Sequence, residues 1–407
     1  MKTKQSILIS FLITLLLTTA GTAAAELGMQ ITTNEADQRN PAISGDRIVW
    51  QDYRSGNWDI YMYDISTGIE KPIITSGFYQ WYPDISGDRI VWEDSHYGND
   101  DIYMHNILSK EEMWITTNEA DQWQPAISGD RIIWHDNRNE NWEIYMYDIS
   151  TKEETQITTH GSYEKYPPAV DGDRIVWEDS HYENDDIYMY DISTKEETQI
   201  TTNEADQWQP AISGDRIVWL DYRNGNADIY MYDISTKVET QITTNGSFQG
   251  YPDISGDRII WQDKRNGNDD IYMYDISTGV ETPIITNKSN QWNPAISGDR
   301  IVWQDYRNGN ADIYMLTLDA VENLNELQDY VNDEDLSTST VKTLNKKLDS
   351  VITLLNKGED ESAIDKLEGF IGTVEGLEKS KKLTMDQAEY LITEAENIIK
   401  LIEISEG

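Results

Sequence analysis

Cysteine and histidine, which carry much of the nucleophilic, acid–base and metal chemistry of proteins, are absent or rare in this sequence. It contains no cysteine and five histidines, His96, His105, His135, His160 and His181. His96 and His181 stand at equivalent places in two copies of a repeated segment, where most other copies have arginine. The two copies are too far apart for both side chains to reach one zinc ion, whose ligands lie about 2 Å from the metal. We therefore interpret both histidines as replacements for arginine in a turn.

Carboxylates recur with the repeat. One aspartate follows the same tryptophan in every copy, at Asp52, Asp94, Asp136, Asp179, Asp221, Asp263 and Asp305. Glycoside hydrolysis needs one acid that differs from its neighbours, whereas a residue that occurs in every copy is typical of structure. The sequence also lacks the G-x-S-x-G, H-E-x-x-H and EF-hand motifs, and it shows no cluster of non-repeating ionisable residues around a centre. We expect no catalytic residues, no metal and no cofactor.

The overall charge limits the partners. The formal net charge is −42, and the acidic residues are spread along the whole chain. Such a surface repels phosphate groups, so nucleic acid and anionic membranes are poor partners. Without cysteine there are no disulfides, and the fold must be held by packing.

The N-terminus has the pattern of a secretory signal. Lys2 and Lys4 precede an apolar run at residues 7–17, and small residues end at Ala25. This pattern predicts a signal peptide over residues 1–25. The alternative is an uncleaved anchor, but the run is shorter than the roughly 20 residues of a membrane span. We expect a secreted or cell-surface protein whose mature chain does not insert into the membrane.

A 42-residue repeat supplies the architecture. The triplet G-D-R occurs at Gly45, Gly87, Gly129, Gly172, Gly214, Gly256 and Gly298, every 42 residues with one step of 43. Each copy holds four short runs rich in Ile, Val, Tyr, Trp and Thr, separated by turn residues. Four antiparallel strands in about 42 residues is the size of a propeller blade. The sequence predicts an all-β seven-bladed β-propeller.

The ends of the repeat predict how the ring closes. The seventh copy lacks a fourth strand, and residues 28–33 form an isolated strand pattern before the first copy. The N-terminal strand should therefore complete the last blade and leave no unpaired edge. The tryptophan that ends each second strand, as at Trp50 and Trp219, is expected to pack between blades.

The repeat resembles a known family. The order S-G-D-R-I-V-W, D-Y-R-N-G-N-A-D-I-Y-M-Y-D-I-S-T-G and I-T, over residues 28–318, is similar to the TolB-type (WD40-like) propeller repeat, and closer still to repeats of surface proteins of methanogenic archaea. The first turn departs from the family, because S-G-D-R replaces S-P-D-G. The resemblance implies the propeller fold. It leaves the function open, because such propellers serve as scaffolds, binding modules and enzymes.

After Leu318 the pattern changes to that of helices. Apolar residues recur at helical spacing from Val321 onward, and Thr384 with Gln387 forms a capping box. We expect a small all-α bundle of three or four helices over residues 319–407. The stretch from Leu367 to Ile402 resembles the FIMAH module of secreted and surface proteins, which implies an accessory or attachment role.

The loops before the first strands suggest a binding face. They carry Trp81, Trp123, Trp208 and Trp292 among polar side chains. Aromatic rings beside amides and carboxylates suit sugars. The alternative is that each tryptophan only covers its blade. Two glycosylation sequons, at Asn245 and Asn287, are expected on the same face.

Together these features predict three segments: a signal peptide (1–25), the propeller (26–318) and the helical domain (319–407). We expect a non-catalytic binding or scaffold protein of the cell surface, whose partner is a cell-envelope protein or polysaccharide. The alternative is a propeller enzyme, a lyase or hydrolase, that acts on polysaccharide.

Overall fold

The computed structural model describes residues 28–96, 98–159, 166–182 and 184–406, without the side chains of residues 181, 182, 405 and 406. The predicted signal peptide lies outside the described residues, as does residue 160. None of the helices in this part of the chain has both the length and the hydropathy of a transmembrane segment.

Each repeat folds into a four-stranded antiparallel sheet, and seven such sheets form the propeller. The first strands span Gln38–Ser44, Gln80–Ser86, Gln122–Ser128, Ala169–Asp171, Gln207–Ser213, Gln249–Ser255 and Gln291–Ser297. The second strands span Arg47–Asp52, Arg89–Asp94, Arg131–Asp136, Arg174–Tyr182, Arg216–Asp221, Arg258–Asp263 and Arg300–Asp305. The third strands span Asp59–Asp64, Asp101–Asn106, Glu143–Asp148, Asn184–Asp191, Asp228–Asp233, Asp270–Asp275 and Asp312–Thr317. The fourth strands of blades 1 to 6 span Ile69–Ile74, Glu112–Trp114, Glu153–Gln156, Glu196–Gln199, Val238–Gln241 and Val280–Ile285.

The N-terminal strand, Met29–Gln30, closes the ring as the sequence predicts. It is the fourth strand of blade 7, with Met29 opposite Met315. The next residues continue the seam, because the Ile31 N–H donates to the Ile313 carbonyl at 2.8 Å and the Ile313 N–H donates to Thr32 Oγ1 at 2.9 Å. Both chain ends of the propeller therefore stabilise one blade.

The core lies between blades. The recurring tryptophans are almost completely buried, with 0–1% of their surface exposed, at Trp50, Trp92, Trp134, Trp177, Trp219, Trp261 and Trp303. Each packs in a cluster that joins two neighbouring blades; Trp50 of blade 1, for example, lies with Val302 and Ile313 of blade 7. The predicted packing role of these tryptophans is confirmed.

The recurring aspartates hold these tryptophans. In blade 1, Asp52 Oδ2 accepts from Trp50 Nε1 at 3.0 Å, and the same carboxylate receives two hydrogen bonds from the Arg54 guanidinium. The guanidinium lies 4.1 Å from the ring centroid of Tyr61. In blade 2 His96 replaces the arginine, and its ring stacks on Phe78 with centroids 4.0 Å apart. The side chain of His181 lies outside the described residues.

The G-D-R triplets form a ring of contacts between blades at the first turn. The arginine of each triplet pairs with the aspartate of the next blade's triplet, as in Arg47–Asp88 at 2.7 Å, and Arg300–Asp46 closes the circle at 2.8 Å. The remaining pairs are Arg89–Asp130, Arg131–Asp173, Arg174–Asp215, Arg216–Asp257 and Arg258–Asp299. The repeat therefore encodes the joint between blades as well as the blade.

Four helices follow the propeller: α1 (Ala320–Asp333), α2 (Thr338–Leu355), α3 (Asp360–Lys379) and α4 (Met385–Glu406). They form one apolar core that includes Leu327, Leu348, Phe370 and Leu391. The predicted capping box is present, because the Thr384 N–H donates to Gln387 Oε1 at 2.9 Å and the Gln387 N–H donates to Thr384 Oγ1 at 3.2 Å. The expected bundle is confirmed.

The bundle packs on blade 7. Leu401 of α4 is buried in the cluster that contains Trp303 and Leu316. An ion pair between Arg300 and Glu322 of α1 lies beside this contact.

Candidate functional site

In blades 1, 2, 3, 5, 6 and 7 the first strand begins with a glutamine and has a bulge near this end. The pairing with the second strand shifts register there, for example between Arg39 and Ala42 in blade 1. The residue before the proline adopts positive φ, at Asn40, Tyr82, Gln124, Gln209, Tyr251 and Asn293, with φ from 47° to 55°. A non-glycine residue in this region is uncommon and is held by its surroundings. Bulges of this kind re-aim side chains beside functional sites. We call these six residues the bulge residues.

A second set of side chains supports the bulges. It is the residue after the buried tryptophan, here called the support ring: Gln51, Glu93, His135, Glu178, Leu220, Gln262 and Gln304, all at most 6% exposed. The Gln124 N–H donates to Glu93 Oε2 at 3.0 Å, and the Asn40 N–H donates to Gln304 Oε1 at 2.6 Å across the junction of blades 7 and 1. In four bulges, those at Asn40, Tyr82, Gln124 and Gln209, the backbone N–H is thus bound by the support residue of the preceding blade.

Where the support residue cannot accept a hydrogen bond, another group replaces it. Blade 5 has Leu220 at this position, and the Tyr251 N–H of blade 6 donates to Gln209 Oε1 at 2.9 Å. The support ring is therefore not uniform. It contains two glutamates and a histidine in three adjacent blades, at Glu93, His135 and Glu178.

Five of the six bulge residues, all except Gln209, and part of the support ring line a cavity of about 910 Å³, here called the funnel. Its wall holds the aromatic side chains Trp58, Trp81, Tyr82, Trp123, Phe248, Tyr251, Trp292 and Tyr306. Its polar side chains are Arg39, Asn40, Gln51, Glu93, Asp100, Gln124, Gln262, Lys264, Asp269, Asn293 and Gln304. A cavity of this size falls within the range of ligand sites, and it combines aromatic faces with both donors and acceptors.

The four predicted binding tryptophans are placed as follows. Trp81, Trp123 and Trp292 line the funnel, and Trp208 is not among the lining residues. We predicted all four in the loops before the first strands, but each is the second residue of its first strand, which begins at the glutamine just before the tryptophan. The sequence placed these strands too late because the bulge interrupts the alternation that marks a strand.

Three of these tryptophans also join blades. The indole N–H of Trp123 donates to Asp100 Oδ2 at 3.0 Å, and Trp292 donates in the same way to Asp269 at 2.8 Å. Trp208 makes the equivalent bond to Asp185 at 2.5 Å. Each carboxylate belongs to the preceding blade. The rings are therefore held in place, and 37% of the Trp123 surface remains exposed.

Glu93 differs from the glutamines of the support ring in its protonation. Burial raises the pKa of Glu93 to about 8; the bond from the Gln124 N–H opposes this effect, and Asp100 and Asp121 add to it. At neutral pH this carboxyl is therefore largely protonated and can donate a hydrogen bond or a proton.

Two further aspartates replace alanine in the first strands of blades 2 and 6. Asp84 accepts from the Ile127 N–H at 2.8 Å, and Asp253 accepts from the Ile296 N–H at 2.8 Å. Burial raises the pKa of each to about 6. Both carboxyls bond to the backbone of the next blade, so their role is to join first strands.

The sequence analysis did not identify the support ring, which includes the non-repeating ionisable residues Glu93, His135 and Glu178; of these three, Glu93 lines the funnel. Glu93, His135 and Glu178 could have been found as the only differences at a position that otherwise holds Gln or Leu. Among the described residues, no group of three or more His, Asp or Glu side chains is arranged to hold a metal ion.

Family models match both parts of the chain. The TolB beta propeller domain matches residues 29–215, and the FIMAH domain matches residues 321–400. The chain is a TolB-type β-propeller protein with a FIMAH domain. The family match ends in blade 5, and the TolB-type fold continues through blade 7.

Solved structures share the fold of this TolB-type propeller. An oligogalacturonate lyase in complex with manganese is 13% identical over 73% of this chain and 94% of that one, with a TM-score of 0.58. The β-propeller domain of the Trilobed protease from Pyrococcus furiosus is 13% identical over 70% and 94%, with a TM-score of 0.56. Pyrococcus horikoshii acylaminoacyl peptidase is 14% identical over 69% and 51%, with a TM-score of 0.55. Comparison with curated sequences gives no significant match.

Proposed function

We propose that the protein is a secreted or cell-surface binding module whose funnel holds a glycan, without catalysing its conversion. The observation that supports this proposal most is the composition of the funnel wall. Exposed rings such as Trp123 and Tyr251 stand beside the amides of Asn40, Gln124 and Asn293. The CH faces of a sugar stack on aromatic rings, while its hydroxyls need both donors and acceptors.

The arrangement of the funnel favours a preformed site. Asn40 and Gln124 are fixed by hydrogen bonds from their backbone to the preceding blade, and Trp123 and Trp292 are fixed through their indole N–H groups. A ligand would therefore meet rings that are already ordered, which lowers the entropic cost of binding.

The test uses one funnel tryptophan and two controls. A glycan array on the mature protein identifies the ligand, and isothermal titration calorimetry then measures its affinity. Trp123→Ala should weaken binding about fivefold or more, the scale of one stacking contact. Trp123→Phe loses the bond to Asp100 but keeps an aromatic face, and because the face makes the stacking contact, this variant should retain most of the affinity.

Trp114 is the matched control, because it is 43% exposed but lies on the fourth strand of blade 2, outside the funnel. Trp114→Ala should leave the affinity unchanged. Equal losses in Trp114→Ala and Trp123→Ala would show that the funnel is not the binding site.

A second candidate function is a polysaccharide lyase or hydrolase. Glu93 favours it, because a funnel-lining carboxyl with a pKa of about 8 could act as a general acid. One solved structure that shares the fold is an oligogalacturonate lyase. Incubation with polygalacturonate distinguishes the two functions: chain cleavage that disappears in Glu93→Gln supports the enzyme, and binding without cleavage supports the module.

A further inference from the structure

A second cavity lies on the helical domain, between α2 and α3. It has a volume of about 720 Å³ and is here called the lysine groove. Its positive charge comes from Lys342, Lys346 and Lys347 of α2 and Lys366 of α3. The groove belongs to a different domain from the funnel and shares no residue with it.

The charge of this groove is opposite to that of the molecule. The whole chain has 74 acidic and 32 basic residues, yet α2 carries three lysines and a single aspartate. None of the four groove lysines forms an ion pair with a carboxylate of the described residues, and Asp365 is the one acidic residue of the lining. At physiological ionic strength the distant carboxylates are screened beyond about 8 Å, so the lysines determine the local potential.

Gly369 is one of the lining residues of the groove. It lies inside α3, where glycine costs about 1 kcal/mol relative to alanine. Its backbone has no positive φ, and a Cβ atom there would meet only Lys347 Nζ, at an ordinary contact distance of 3.9 Å. Folding therefore does not require a glycine at this position. Its absent side chain instead leaves room beside Lys347, whose Nζ donates to the Gly369 carbonyl at 3.0 Å.

The lining also offers acceptors. The Thr343 and Ser350 hydroxyls donate to helix carbonyls, at 2.7 Å and 2.8 Å, so their oxygens can still accept from a ligand hydroxyl. Lys342 and Lys346 are one helical turn apart, about 5–6 Å between Cβ atoms, a spacing comparable to the length of one sugar unit. Lysine side chains that start from this spacing on one helix face, together with hydroxyl acceptors in the same groove, match a carbohydrate that bears repeated anionic groups.

We propose that the lysine groove binds an acidic polysaccharide through its carboxylate or sulfate groups. The helical domain then anchors the protein to a charged polymer, while the funnel remains a separate site. The inference does not depend on the function proposed for the funnel.

The experiment compares two double variants of the full mature chain that change the charge equally. Lys346→Gln/Lys366→Gln removes two groove lysines, and Lys357→Gln/Lys382→Gln removes two exposed lysines outside the groove. Binding to polygalacturonate, dextran sulfate and neutral dextran is measured by affinity electrophoresis and calorimetry. Polygalacturonate and dextran sulfate distinguish carboxylate from sulfate recognition. We expect the groove variant to bind at least one acidic polymer about tenfold more weakly, the control to bind within about twofold of the wild type, and neutral dextran not to bind.

An uncharged variant tests the shape of the groove. Gly369→Leu fills the space beside Lys347 and should weaken acidic-polymer binding without lowering the melting temperature, since leucine favours a helix more than glycine does. The proposal is overturned if neither acidic polymer binds, or if both lysine variants lose affinity equally. It is also overturned if the groove lysines support self-association in sedimentation measurements and not polymer binding.

Discussion

At the scale of single residues, the support ring shows how a repeat acquires individual properties. Gln51 and Glu93 stand at the same position in blades 1 and 2, and each accepts a backbone N–H of the next blade. The amide is neutral at any pH, whereas ionisation of the buried carboxyl places a charge where water cannot hydrate it. The same geometry therefore gives one blade an inert group and the next a titratable one.

This difference predicts a pH dependence that Glu93→Gln removes. The folded state raises the pKa of Glu93 from its ordinary 4.5 to about 8, so the folded protein binds this proton more tightly than the unfolded chain does. Its stabilising contribution is full below pH 4.5 and is lost as the pH rises to about 8. Between pH 5 and pH 8.5 the wild type should lose on the order of 4 kcal/mol more stability than Glu93→Gln.

Thermal melts in matched buffers measure this difference, and Gln51→Glu provides the reciprocal variant. It places a carboxyl at the equivalent position of blade 1 and should acquire a similar decline in stability above pH 5. Parallel pH profiles for the wild type and Glu93→Gln would contradict the assigned protonation.

At the scale of elements, the closing strand is short but its surroundings are buried. Only Met29 and Gln30 form the regular ladder, whereas Ile31 is 8% exposed and packs with Ile43, Ile48 and Trp50 of blade 1. The strand thus contributes hydrogen bonds to blade 7 and an apolar side chain to the junction with blade 1.

Ile31→Ala should therefore destabilise the propeller by about 2–4 kcal/mol, as expected for a buried isoleucine. Met29→Ala is the control, because Met29 lies in the same strand and is 45% exposed; it should cost less than about 1 kcal/mol. Deletion of residues 28–33 should lower the melting temperature more than either substitution. A deletion variant that melts with the wild type would mean that the ring does not need this strand.

A similar comparison separates the two kinds of tryptophan. Trp219→Ala removes a ring with no exposed surface from a junction between blades, and should cost roughly 3–5 kcal/mol. Trp123→Ala removes a ring that is 37% exposed and one hydrogen bond to Asp100. It should cost less, and chemical denaturation of both variants measures the difference. Equal losses would assign Trp123 to packing alone.

At the scale of the whole molecule, the two domains have separate cores and meet at blade 7. The helical core contains residues from all four helices, such as Leu324, Leu344, Leu367 and Leu391. Leu401 belongs to the blade 7 cluster instead. The bundle therefore buries its main apolar stripe on itself, and it contacts the propeller through the end of α4 and through Glu322 of α1.

Residues 319–407 expressed alone should consequently fold. Circular dichroism at 222 nm should show a cooperative thermal transition, because the core of the bundle does not require the propeller. Leu401→Ser in this fragment should leave the transition nearly unchanged, whereas Leu391→Ala should lower its midpoint, since Leu391 is fully buried in the helical core. A non-cooperative melt would show that the propeller is needed for folding of the bundle.

The sequence by itself determined the fold class. The period of 42 residues, the turn residues and the unpaired pattern at residues 28–33 specified seven blades and their closure. The helical spacing after Leu318 and the capping box at Thr384 specified the bundle. These features are local: strand and helix periods, turns and caps depend on neighbours along the chain, and a repeat presents each of them several times.

Only the tertiary structure decided the site. Glu93 of blade 2 and Gln124 of blade 3 are 31 residues apart in the sequence, and they meet because adjacent blades pack side by side. The funnel role of Tyr82 and Tyr251 follows from a bulge whose positive φ turns the side chain inward. The lysine groove likewise forms where α2 meets α3. Contacts between elements, and the burial that shifts a pKa, depend on which surfaces face each other, and the period of the sequence does not contain that information.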